Sequence, residues 1–235
     1  MGASDNIVTI KAKLRAAVDP SKKSNAIFFK TGIGHYAEHD QFIGVSVPNL
    51  RLIAKQYSNL ELKHLKQILT SPINEERLLA LIILVNQYKS SNQDYKNAIY
   101  EFYINNLKYI NNWNLVDASA HLIVGAHLNT KSKAYLLQLS QSNVLWERRI
   151  AIVATWYFIR NDNLKPTFKV AKKLMRDEHD LIHKAVGWML REAGKRDQGQ
   201  LVDFLDQYSS VMPRTMLRYA IERFPESVRK GYLTK

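Results

Sequence analysis

Apolar residues recur along this chain at helical spacing almost without a break, and little interrupts them: six prolines and nine glycines serve 235 residues. No sustained strand alternation competes with that pattern, so the chain is constrained to fold as helix after helix. Ile7, Ile10, Leu14 and Val18 form the first stripe, over about residues 4–18, and Asp19-Pro20 closes it. An aromatic stretch follows, from Ala26 to Tyr36, with glycines at 32 and 34. It predicts a short helix and then a long irregular loop reaching Phe42-Ile43-Gly44-Val45, and long loops in compact domains are often functional. Pro48 suits the first turn of the next helix. From there the pattern predicts pairs: about 48–57 with 61–69, 73–89 with 93–107, 111–128 with 131–140, 144–160 with 164–176, 180–196 with 198–208, and 213–223 with a short tail.

The pairs are regularly spaced. Arg77 to Trp113 is 36 residues, Trp113 to Arg149 is 36, and Arg149 to Lys184 is 35. A period near this length marks helical hairpins of the HEAT kind. One hairpin cannot bury its apolar face alone, so the expectation is a single all-α domain over residues 1–235, its repeats stacked into a curved solenoid with one concave face. Four residues beyond the aligned positions lie Leu81, Asp117, Val153 and Trp188, on the same helix faces. The middle of the concave face would then carry Trp113, Asp117, Arg149, Lys184 and Trp188. Helix starts add N–H groups and the positive end of a dipole, which favour phosphate.

The charge agrees with such a face. Lys and Arg number 34 against 21 Asp and Glu, a formal net charge of +13. A folded chain this basic most often meets a polyanion, and nucleic acid is the commonest. Without cysteine there are no disulfides or thiolate metal sites, which fits a reducing compartment and a cytoplasmic, nucleoid-associated protein. No run approaches the apolar length that crosses a bilayer, and the first residues lack the basic-then-apolar order of a secretory signal. His179 and His183 have the spacing of two metal ligands, but no third ligand motif accompanies them, so they read as structural or surface histidines.

Each residue also has a plainer role. Asp117 suits a first-turn helix acid, Trp113 and Trp188 suit a core, and Arg149 can pair with Glu147. Trp146 and Trp156 are assigned to the core or to contacts between hairpins. The run Lys165, Lys169, Lys172, Lys173 and Arg176 reads as an outer, solvated face.

Three motifs resemble the AlkD-type DNA alkylation-repair glycosylases. Trp113-Asn114-Leu115-Val116-Asp117 matches the family's Trp-x-x-x-Asp helix start. Leu145-Trp146-Glu147-Arg148-Arg149-Ile150-Ala151-Ile152 matches its arginine helix, with Arg149 in the active-site place. Lys184-Ala185-Val186-Gly187-Trp188-Met189-Leu190-Arg191-Glu192 matches its Ala-x-Gly-Trp-x-Leu-Arg-Glu helix. Phe28 to Gly32 and Phe42 to Pro48 resemble the family's N-terminal DNA-contacting segments, although the loop from Thr31 to Gln41 is longer than in the shortest members and Phe28 stands where some have tyrosine. The resemblance implies monofunctional excision of positively charged N3- and N7-alkylated purines from duplex DNA, without metal or cofactor. Separately, one copy of a chain this size is expected to be enough for one duplex. Asp117, Trp113, Trp188 and Arg149 would be catalytic. Lys184, Arg148, Lys30, Phe28 and Lys195 would contact DNA.

The chemistry suits one carboxylate. An N3- or N7-alkylated purine is cationic and leaves as a neutral base, so it needs no general acid. The sugar left behind is oxocarbenium-like, and an adjacent carboxylate stabilises it and orients water. Glycoside hydrolases need two carboxylates because their leaving groups must be protonated. Two other readings stay open from the sequence: a HEAT-repeat protein that binds damaged or branched DNA without excision, and a protein-interaction scaffold.

Overall fold

The computed structural model describes residues 3–21 and 28–234, with side chains from residue 7 onward. Among these residues the chain is all-α, and its one β-type contact is an isolated parallel bridge between Gln41 and Ile73. The helices are α1 (Ala3–Ala16), α2 (Val47–Gln56), α3 (Leu62–Leu69), α4 (Asn74–Ser90), α5 (Gln93–Ile104), α6 (Trp113–Ala120), α7 (Ala126–Leu128), α8 (Ala134–Leu139), α9 (Leu145–Ile159), α10 (Lys165–Leu174), α11 (Asp180–Gly194), α12 (Gln198–Tyr208), α13 (Arg214–Ala220) and α14 (Glu226–Thr234). A π-helical turn, His121–Gly125, lies between α6 and α7. Two compact units divide the chain, Met1–Ser119 and Ala120–Lys235.

The predicted pairs are present, with three differences. The helix expected over 93–107 stops at Ile104, and a separate 3-10 turn, Leu107–Tyr109, follows. The expected short tail is a nine-residue helix, α14, whose Tyr232 is buried and donates to Asp206 of α12 at 2.9 Å. Burial, with the Asp206 charge, pushes that phenol up to about 12. The aromatic stretch is not a helix at its described end: Phe28 and Phe29 make only a short 3-10 piece, and Ala26 and Ile27 lie outside the described residues.

In the first unit, α2 and α3 pack on α4, and α1 packs on both α2 and α3. Leu14, Leu50, Leu65, Ile68, Leu79 and Ile83 are fully buried there. The first turn of α4 is unusual, because Asn74, Glu75, Glu76 and Arg77 are all buried. Buried polar groups cost free energy unless paired, and each of these four is paired. Glu75 accepts the backbone N–H groups of Ile43, Gly44 and Val45 at 3.1, 2.8 and 3.4 Å, which folds the loop onto α4. Gly44 has φ 88, a left-handed conformation that a side chain would strain. Glu76 pairs with Lys11 of α1 at 3.0 Å. Arg77 pairs with Asp40, and Asn74 donates to the same carboxylate at 2.9 Å.

In the second unit, the π turn packs on α9, α9 on α11 and α11 on α13, with the shorter α8 and α10 against α9 and α12 against α11. From Arg149 to Thr155 every residue of α9 is buried, so this helix is central rather than one-faced. On α10, by contrast, Val170, Ala171 and Leu174 are buried while Lys165, Lys169, Lys172 and Lys173 are exposed. That lysine face is solvated, as the spacing predicts.

The repeat is real, but its register differs from the one the equal spacing suggests. Arg77 donates to the carbonyl of Ser71, Arg148 to that of Ser142, and His183 contacts that of Asp177, in each case six residues back across a helix start. Arg77 therefore corresponds to Arg148 and His183, one residue before Arg149 and Lys184. Of the row four residues on, Leu81 and Val153 are sealed in the core, whereas Asp117 and Trp188 are half-exposed.

Glycine sets how closely the long helices of the second unit cross. A Cβ on Gly125 would stand 2.2 Å from the Ala154 carbonyl oxygen and 2.7 Å from the Tyr157 Cβ. A Cβ on Gly187 would stand 2.4 Å from the Met216 carbonyl oxygen and 2.5 Å from the Tyr219 Cβ. Both neighbours are backbone or backbone-proximal and cannot swing aside. Gly187→Ala is expected to lower stability by about 1–3 kcal/mol despite the better helix propensity of alanine. Gly231→Ala, where a Cβ meets open space, should raise stability by up to about 1 kcal/mol. Urea denaturation of both variants checks the contrast.

Candidate functional site: a tryptophan and a carboxylate at one helix start

Trp113 is the first residue of α6 and Asp117 lies one turn on, both half-buried. Asn112 precedes them as the cap, its carbonyl accepting the Val116 N–H at 3.1 Å. The Asn112 side chain is fully buried. Its carbonyl oxygen accepts the Trp113 N–H at 2.7 Å, and its amide donates to Asp40 at 2.6 Å. Asn114 and Asn74 exchange a side-chain hydrogen bond of 2.6 Å, a second tie between α6 and α4.

One face of Trp113 is covered. The ring of Phe29 lies on it at 4.9 Å between centroids and 9° from parallel, and Phe42 lies on Phe29 at 4.4 Å. Such a three-ring stack holds the indole plane and leaves the neighbouring Phe28 outside it. Phe28 is exposed, and its backbone carbonyl accepts the Tyr36 hydroxyl at 3.3 Å. Lys30 is exposed with φ 48, a left-handed backbone uncommon for lysine. Beside the stack is a cavity of about 380 Å³ lined by Phe29, Phe42, Ser46, Asn74, Glu75 and Asn114 among others.

Behind Asp117 stands Tyr103 of α5, fully buried. Its hydroxyl meets Ser119 Oγ at 2.9 Å, and the Ser119 hydroxyl proton goes to the Leu115 carbonyl at 2.6 Å. Tyr103 is therefore the donor. Burial, and then the Asp117 charge, raise its phenol far above the usual range, so it keeps its proton.

The remaining expected residues lie in the second unit. Arg149 is buried to 5% exposure and donates to the Leu181 carbonyl at 2.6 Å, at the start of α11. Lys184 is ion-paired with Asp180 at 2.7 Å. Trp188 is half-exposed and meets Trp156 edge-on at 5.0 Å. Trp156 in turn carries the Arg160 guanidinium over its ring at 5.0 Å. Trp146 is core, as expected. Lys195 is exposed and pairs with Glu192 at 2.7 Å.

Arg148, expected at a DNA contact, has another use. Its Nε donates to Asp177 at 2.6 Å and its Nη1 to the Ser142 carbonyl at 2.9 Å, with the side chain 19% exposed. The pair ties the start of α9 to the loop before α11 and occupies the guanidinium that a phosphate would need.

The sequence reading places Phe29 in a DNA-contacting segment and Arg77 in the aligned row, but it gives Asp40 and Asn112 no role and joins none of the four to Trp113. A signal was present: four polar residues in a row open α4 ahead of the apolar run from Leu78 to Val85, and an asparagine stands immediately before Trp113. The partner that explains them, Asp40, lies 37 residues from Arg77 and 72 from Asn112.

This succession of paired helices, carrying a tryptophan and an acid on one helix start, defines an all-helical repeat protein with a concentrated polar site. The family described as DNA alkylation repair enzyme matches residues 10–224, and the chain belongs to it. A solved structure, a predicted DNA alkylation repair enzyme from Enterococcus faecalis, shares the fold at a TM-score of 0.66. It is 15% identical, over 89% of this chain and 97% of that one. No curated protein matches the chain. Among the described residues no helix is long and apolar enough to cross a membrane, and no group of His, Cys, Asp and Glu is placed to hold a metal.

Two histidines of the second unit make stability depend on pH. His179 caps α11 by accepting the Leu181 N–H at Nδ1, 3.1 Å, and burial lowers its pKa against the opposing pull of Asp177. Burial, and then the charge of Lys131, hold His127 at about 4 instead of 6.5. A folded value below the ordinary one means the unfolded chain takes up protons first. The stability tied to these neutral rings is complete above 6.5 and is lost as the pH falls below it, for His127 down to about 4. His127→Gln, whose amide oxygen can still accept from Lys131, should lose less stability than wild type between pH 7 and pH 4.5, read from urea midpoints at each pH.

Proposed function

We propose that this chain is a monofunctional DNA glycosylase that releases positively charged N3- and N7-alkylated purines from duplex DNA. Its membership of the DNA alkylation repair enzyme family supports the reading. The observation that carries it is Asp117, a half-exposed carboxylate one turn beyond a clamped Trp113. The net charge of +13 supplies attraction for the polyanion.

The assigned steps are few. The C1′–N bond breaks and its electron pair leaves with the base, which departs neutral. The Asp117 carboxylate stabilises the cationic sugar, orients the water that adds to C1′ and takes its proton. The indole face of Trp113 attracts the cation and excludes water. Lys184, exchanging its Asp180 partner for phosphate, is assigned to the duplex backbone, whereas Arg149 is 5% exposed and stays on the Leu181 carbonyl. In this reading the duplex lies against the Trp113–Asp117 helix start, and one copy of the chain serves one duplex.

Asp117→Asn should cut single-turnover release of N7-methylguanine or N3-methyladenine by roughly two to three orders of magnitude, with duplex binding retained. Release at the wild-type rate would refute the assignment. Salt-sensitive duplex binding by wild type with no base release would instead favour a binder without excision. Because nothing in this scheme protonates a leaving base, uracil in duplex DNA should be released at least a hundredfold more slowly than N7-methylguanine, in a parallel assay.

A further inference from the structure

The loop before α2 does more than precede it, because one carboxylate from that loop reaches the start of α6. Asp40 is nearly sealed, its side chain 3% exposed. One oxygen takes the Arg77 guanidinium, and the other takes the Asn74 amide at 2.9 Å and the Asn112 amide at 2.6 Å. Asn112 spends its own carbonyl oxygen on the Trp113 N–H at 2.7 Å. An asparagine cap usually accepts from the second or third helical N–H. Here the side chain is drawn inward by Asp40 and grips the first one instead.

The second unit repeats this arrangement with different parts. There Asp177 accepts from Arg148, the counterpart of Arg77, and also from the backbone N–H of His179, the cap of α11, at 2.9 Å. In both units an acid joins the arginine of one long helix to the cap of the next. Asp177 comes from the linker immediately before its helix. The linker before α6, Asn105 to Asn112, contains no acid, and Asp40 is brought in from the distant loop to fill the place.

We propose that Asp40 and Asn112 are positioning residues for the reaction at Asp117: the pair fixes the axial start and rotation of α6, and so sets where Trp113 and Asp117 stand. This rests on the glycosylase reading for its activity readout and on local geometry for its structural one. A displacement of about 1 Å at a reacting group is enough to slow chemistry by roughly a hundredfold.

Asn112→Ser separates positioning from simple capping. Serine is as good a cap as asparagine but is too short to reach Asp40. The expected result is a melting temperature lowered less than in Asn112→Ala, duplex affinity within about threefold, and a single-turnover rate lowered at least tenfold at saturating enzyme. Asn112→Ala should lower the rate as far and the melting temperature further. A wild-type rate for Asn112→Ser would overturn the proposal, because the residue would then be only a cap. A second readout is independent of activity. Amide exchange at Trp113 should quicken at least tenfold in Asn112→Ser, while exchange in α9 and α11 stays unchanged, and unchanged exchange at Trp113 would overturn the proposal as well. If wild-type protein releases no base, the glycosylase reading fails and the exchange result alone decides this one.

Discussion

The buried pair of Arg77 and Asp40 is the contact on which the first unit depends. The two side chains are 5% and 3% exposed, so both charges have left water. Their mutual attraction does little more than offset that desolvation, and a pair of packed apolar residues would serve stability as well. A carboxylate does something that apolar residues cannot. It accepts several donors at fixed angles, and Asp40 collects three side chains, from α4 and from the cap of α6. Removing either partner would strand a buried charge, at a cost of about 3–5 kcal/mol. Together with the three backbone N–H groups gathered by Glu75, it turns a loop poor in secondary structure into a fixed part of the site.

The helices were legible because their apolar faces are buried at helical spacing, and packing follows that spacing. What escaped was whatever depends on contacts far apart in the chain. The π turn at His121–Gly125 leaves the helical stripe nearly intact, so no local pattern reveals it. The repeat period was legible, but two arginines stand side by side at 148 and 149, and counting alone selects the wrong one. Only the carbonyl six residues back decides in favour of Arg148. Phe28 and Phe29 posed the same ambiguity, and the stack on Trp113 settles it for Phe29. Trp113 and Asp117 were legible as a pair, since their spacing puts them on one face of any helix. The acid and the amide that hold that helix start were not.

The division of labour among the charged groups is instructive. A net charge of +13 suggests a surface full of free cations, yet several are committed to holding helices together. Arg77 and Arg148 each close a helix start, Arg149 grips a carbonyl, and Lys11 meets a buried glutamate. The cations left in open solvent include the lysines of α10. Charge counted from composition therefore overstates what is offered to a polyanion and understates how far arginine serves as internal mortar.

Gly125 and Gly187 each meet the carbonyl of one residue and the Cβ of the residue three further on, Ala154 and Tyr157 in one case and Met216 and Tyr219 in the other, at the same offset along the chain. In both places a glycine lets one helix lie directly on the backbone of another, with no layer of side chains between them. Such a seam has nothing in it to repack, so these two crossings stay rigid while the side chains around them are free to vary.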